Sequence, residues 1–122
     1  MPFADPFADP APPQFEGDSL LERISRAYEE AVDLYGDACD DNAAKENEYL
    51  KLHAQAWVHA IEDGVAATVR SKHCDNQQDV CDARQTWNRA MATERRSRAK
   101  VEELKNRLTA VMSHTRFVRE GT

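Results

Sequence analysis

Apolar side chains recur at alternating three- and four-residue spacings from Leu21 onward. One row holds Leu21, Tyr28, Tyr35, Asn42, Tyr49 and Ala56; the other holds Ile24, Ala31, Ala38, Lys45, Leu52 and His59. That spacing places both rows on one stripe of an α-helix and predicts a first helix over about 19–62. Its start is marked by Ser19, with Asp18 as the alternative cap. Glu22 follows Ser19 by three residues, the spacing of a capping box. Trp57 and Ile61 widen the apolar stripe near its end. Asp40, Asp41 and Asn42 interrupt it, so a local irregularity or a polar layer is expected there.

The pattern breaks at Glu62-Asp63-Gly64, where Gly64 can supply the positive φ of a helix C-terminal cap. A turn over about 63–68 follows, with Val65-Ala66-Ala67 as the connection and Thr68 as a plausible cap. A second helix is then predicted over about 69–118. One of its rows is His73, Val80, Trp87, Glu94, Val101, Leu108 and Thr115. The other is Val69, Asn76, Ala83, Ala90, Ser97, Leu104, Val111 and Val118.

Folding about Val65 sets Tyr49 near Cys81, Asn42 near Trp87 and Tyr28 near Glu102. Ala31, Ala38, Ala83 and Ala90 would permit close approach, with Tyr49, Trp57, Val80 and Trp87 holding the arms. The expected fold is all-α: a long antiparallel two-helix hairpin, coiled-coil-like, forming one helical domain over 18–122. An isolated hairpin buries little apolar surface per residue. Leu34, Leu50, Val58, Met91 and Met112 lie off the seam, which favours self-association as a homodimer or higher oligomer, such as a four-helix dimer.

Composition supports the helical reading. No proline occurs after Pro13, and the only glycines after Gly17 are Gly36, Gly64 and Gly121. Residues 1–17 contain all five prolines and a repeated Phe-Ala-Asp-Pro unit. They are expected to form a flexible or extended tail, polyproline-like around Pro10 to Pro13. Phe3 and Phe7 are its candidate anchor to a partner. This stretch has no apolar core, so no signal peptide is expected. No run approaches the roughly 20 apolar residues of a membrane span. Cys39, Cys74 and Cys81 are odd in number. On one helix Cys74 and Cys81 would stand too far apart to bridge, so free thiols in a reducing cytoplasm are expected.

The formal net charge of −6 is unevenly spread. Residues 18–63 hold twelve acidic against four basic side chains, whereas residues 64–122 hold twelve basic against seven acidic. Attraction between an acidic and a basic arm explains this without a partner. The sharper alternative is that the basic arm meets a polyanion. Its candidate contact residues are Arg84, Arg89, Arg95, Arg96, Arg98, Lys100, Lys105 and Arg107. A single-stranded nucleic acid site also wants exposed aromatic platforms, and the only aromatic nearby in sequence is Trp87, which the heptad assigns to the seam.

No catalytic or cofactor-binding residues are expected: phosphate loops and nucleophile elbows are missing, and a hairpin encloses no desolvated cleft. No metal site is expected either. The Cys74–Cys81 spacing does not suit a shared ion, even with His73 and His59 nearby.

Two stretches carry a family resemblance. One is Glu48-Tyr49-Leu50-Lys51 through Ala54 and Ala56 to Gly64, then Thr68-Val69-Arg70. The other is Val101-Glu102-Glu103-Leu104 through Leu108, Met112, Ser113-His114 and Arg116. Over about residues 28–119 the chain resembles small helical proteins of tailed bacteriophages and prophages, often encoded close to recombination or single-strand-annealing genes. The resemblance implies a non-enzymatic accessory role in phage DNA metabolism in the host cytoplasm, and transfers no individual functional residue. The expected function is therefore protein–protein contact within a recombination or replication machine. Direct nucleic acid binding, a structural place in the virion and inhibition of a host factor stand as alternatives.

Overall fold

A computed structural model describes residues 19–120, with side-chain surroundings given through Arg116. The described residues form three helices: α1 (Leu20–Glu62), α2 (Ala67–Asp75) and α3 (Gln78–Glu120). The chain is all-helical, as the periodicity predicts. The tail anchor residues Phe3 and Phe7 lie outside the described residues.

Helix α1 begins as its sequence suggests, since the Glu22 backbone N–H donates to Ser19 Oγ at 3.1 Å. This satisfies one of the amides that a helix start leaves without an intrahelical acceptor. The helix runs unbroken through Asp40 to Lys45, so the polar interruption becomes a layer and not a kink. It ends at Gly64, whose φ is +77°. There the Gly64 N–H donates to the Ile61 carbonyl at 3.1 Å and the Val65 N–H to the Ala60 carbonyl at 2.9 Å. This pair of bonds is the signature of a left-handed glycine cap.

Nothing lies within 4 Å of a Cβ added at Gly36 or Gly64. Backbone conformation alone should therefore decide both substitutions. Gly64→Ala is expected to cost about 1 kcal/mol because of the positive φ. Gly36→Ala, in the middle of α1, is expected to stabilise by about 0.5–1 kcal/mol. Thermal melting of the two variants should show opposite shifts.

The second predicted helix is in fact two. The connection is shorter than expected, covering residues 63–66, and Ala66 rather than Thr68 occupies the N-cap of α2 without a side-chain hydrogen bond. Helix α2 stops at Asp75, and α3 starts at Gln78 after the Asn76-Gln77 break. Asp75, Asn76, Gln77, Gln78 and Asp79 form an unbroken polar run. Asp and Asn compete for backbone hydrogen bonds and weaken a helix interior.

Burial gives the second reason for the break. Cys74 and Val80 are both buried, at 0% and 1% exposure. Six residues apart on a continuous helix they would point about 120° away from each other. The break lets both face inward. It also changes register on α2, so Val69, His73 and Asn76 are exposed where the heptad placed them inside. Cys74 and Cys81 consequently sit on different helices; both are free thiols, as is Cys39.

The chain divides into two compact units. Among the described residues the first comprises 19–37 and 95–120, with Ile24, Ala31 and Leu104 buried. The second comprises Ala38–Glu94, with Ala38, Ala60, Cys74, Val80 and Ala90 buried. All but Ala60 and Cys74 occupy predicted core rows. Near the end of α1 the buried position shifts by one residue, from His59 to Ala60. Among the described residues no helix is long and apolar enough to cross a membrane.

Candidate functional site

Within the second unit, heptad positions of α1 that are aromatic or polar meet the start of α3. Trp87 Nε1 donates to Asn42 Oδ1 at 2.8 Å. Asn42 Nδ2 donates to Glu94 Oε2, and Cys39 Sγ donates to Glu94 Oε1 at 3.3 Å. These four side chains make the polar layer anticipated around Asn42. All four are half-buried.

Closer to the α2–α3 break the layer becomes aromatic. Tyr49 stacks on Trp87 with ring centroids 5.4 Å apart. Its hydroxyl donates to Asp75 Oδ1 at 3.4 Å, and His53 Nε2 lies 3.5 Å from the same oxygen. His53 in turn stacks on Trp57 at 6.3 Å. The Cys81 thiol donates to the Asp75 backbone carbonyl at 3.0 Å. A cavity of about 410 Å³ is lined by Tyr49, Asp75, Val80, Cys81, Arg84 and Gln85. Asn42 thus meets Trp87, and Tyr49 shares a cavity wall with Cys81, two of the three juxtapositions expected from folding about Val65.

Guanidinium groups cover these rings. Arg84 lies 5.3 Å from the Tyr49 centroid and 5.0 Å from that of Trp87. Arg70 lies 5.3 Å from Trp57 and donates through Nη2 to the Val65 carbonyl at 3.0 Å. Such cation–π contacts contribute about 0.5–1 kcal/mol each when exposed and more when desolvated. In the first unit Arg98 repeats the arrangement, 5.9 Å from the Tyr35 ring and donating through Nε to its hydroxyl at 3.2 Å.

The predicted basic residues are therefore not one equivalent set. Arg84 and Arg89 belong to the second unit, and Arg95, Arg96, Arg98, Lys100, Lys105 and Arg107 to the first. Arg84 and Arg98 lie over aromatic rings, while Arg96, Lys100 and Arg107 also have interaction partners. Arg89, Arg95 and Lys105 are exposed. In sequence, Trp87 is the only aromatic residue near this arginine run. Proximity along the chain misses Tyr35 and Tyr49, which reach the arginines from α1. Their heptad positions, paired with the opposing row, were the available signal.

Among the described residues no group of three or more His, Cys, Asp or Glu side chains could hold a metal ion. The geometry defines an all-helical protein whose polar and aromatic layers join its helices, with arginines laid over the rings. No protein-family model, curated protein or solved structure matches this chain.

Proposed function

We propose that this protein is a non-enzymatic helical accessory factor of phage or prophage origin, acting in the host cytoplasm by protein–protein contact in DNA recombination or replication. In each unit by itself, the α1 and α3 segments pair in an antiparallel, coiled-coil-like manner. The observation that carries the contact reading is the apolar side chains left uncovered on α1. Leu50, Val58 and Ile61 in the second unit are each half exposed or more. Clusters of exposed apolar residues mark interaction surfaces when they are contiguous. Leu34 and Met112, also anticipated as off-seam, are exposed in the first unit, whereas Met91 is half-buried.

Direct nucleic acid binding is the second reading, favoured by exposed Arg95 and Lys105 in the first unit. A titration against single- and double-stranded DNA at two salt concentrations separates the two. A DNA-binding protein loses affinity steeply with salt, and Arg95→Glu, Arg96→Glu and Arg98→Glu together would abolish binding. The contact reading expects no such salt-steep binding. It expects the triple variant to weaken only those partner contacts that use an acidic surface. Circular dichroism of the variant checks that its helices remain.

A further inference from the structure

We propose that the outer face of α1 in the second unit is the docking surface for a second copy of this chain, the two helices running antiparallel about a two-fold axis midway between Leu50 and Ala54. The inference rests on the protein-contact reading and names its partner.

Helix α1 carries two heptad stripes in this unit. The inner one, through Asn42, Tyr49 and Ala56, packs within the unit. The outer one contains Ala43, Asn47, Leu50, Ala54, Trp57 and Ile61, spaced alternately by four and three residues. At 100° per residue it is centred about 130° round the helix from the inner stripe. Most of it is uncovered: Ala43, Asn47 and Ala54 are exposed and Leu50 and Ile61 are 52% and 50% exposed, while Trp57, at its inner edge, is half-buried beneath Arg70. Val58, 53% exposed, borders it. A sustained three–four alternation is the pattern of a helix that seats a partner helix.

The sequence of sizes along this stripe identifies the partner. Paired with an antiparallel copy of itself about the midpoint between Leu50 and Ala54, Leu50 faces Ala54, Trp57 faces Asn47, and Ile61 faces Ala43. Each large side chain meets a smaller one in every pair, and each pair recurs with the roles exchanged. That reciprocity is the requirement of a two-fold interface, and alternation of large with small is how facing helices interdigitate. A parallel copy would instead set Trp57 on Trp57 and Ala54 on Ala54. The stripe runs about 27 Å, and two such stripes in contact bury on the order of 1,000 Å² in total, the lower bound for a specific association. The dimer is therefore weak and depends on concentration.

Sedimentation equilibrium of the full chain, from micromolar to sub-millimolar concentration, tests this together with a size swap at one pair. Leu50→Ala and Ala54→Leu alter only exposed positions and leave helix content unchanged. Each alone raises the dimer dissociation constant by about tenfold or more, because a two-fold axis repeats the defect. The double variant L50A/A54L exchanges the facing sizes and restores dissociation to within about threefold of wild type. A monomer at every concentration overturns the inference, as does a dimer indifferent to both single substitutions or one that the swap fails to restore. If the full chain is monomeric and deletion of residues 1–17 makes it dimerise, the tail is the occupant and the inference falls. The broader contact reading fails separately, if L50E/I61E leaves every protein contact of the chain intact.

Discussion

Leu104→Ala is expected to lower stability by about 3 kcal/mol, the largest effect of any conservative truncation in the protein. Leu104 is 1% exposed, and its unit has few other buried apolar side chains, with only Ile24 and Ala31 beside it among the described residues. A cavity left in so small a core has little around it that can collapse inward. The loss would be a large share of the 5–15 kcal/mol that typically separates folded from unfolded chains. Urea unfolding should show a lower midpoint with an unchanged slope. Met112→Ala in the same unit serves as the comparison. Met112 is 52% exposed, and its truncation should stay within about 0.5 kcal/mol. Equal effects from the two would mean that Leu104 is not part of a packed core.

The second large effect is expected at Asn42. Replacing it with Leu keeps similar volume but takes a hydrogen-bond partner from each of two groups. The Trp87 indole N–H loses its Asn42 acceptor, and Glu94 Oε2 loses its Asn42 donor. Leaving a half-buried donor and a carboxylate underserved costs about 2 kcal/mol. Glu94→Leu should cost less on its own, since Asn42 retains Trp87. Each single variant loses the Asn42–Glu94 hydrogen bond and the double variant loses it only once, so N42L/E94L should be less destabilised than the sum of its parts, with a coupling of about 1 kcal/mol. Urea midpoints of the two single variants and the double variant complete this cycle. Additive costs would show that the three side chains do not act as one layer. Polar side chains that pair across a helical seam also specify register between the helices, which gives this layer a role that an apolar substitute does not fill.

Much of the packing was legible because a heptad reports which side of a helix is covered. Ile24, Ala31 and Ala38, and then Val80, Ala90 and Leu104, are buried where their rows placed them. Ser19 with Glu22, and Gly64, were legible because capping depends on a few neighbouring residues. The break at Asn76-Gln77 was not recovered, because the heptad can be continued across it on paper. The polar run from Asp75 to Asp79 was the contrary signal, and Cys74, not His73, was the residue the core required. The arginine run was legible as charge but not as a set of contacts. Where Arg84 and Arg98 rest depends on Tyr49 and Tyr35, which belong to another helix and many residues away. Leu50 and Val58 were legible as apolar positions off the seam, whereas Ile61, which the pattern adds to the inner stripe, is 50% exposed.

Hydroxyl-radical footprinting of the full chain at dilute and at concentrated protein reads the covering of the outer stripe of α1 side chain by side chain. The reactivity of Leu50, Trp57 and Ile61 should fall several-fold on concentration, while that of Met112, exposed in the first unit, stays constant. Unchanged reactivity along Leu50 to Ile61, with protection appearing only elsewhere or not at all, would contradict a contact surface on the outer face of α1.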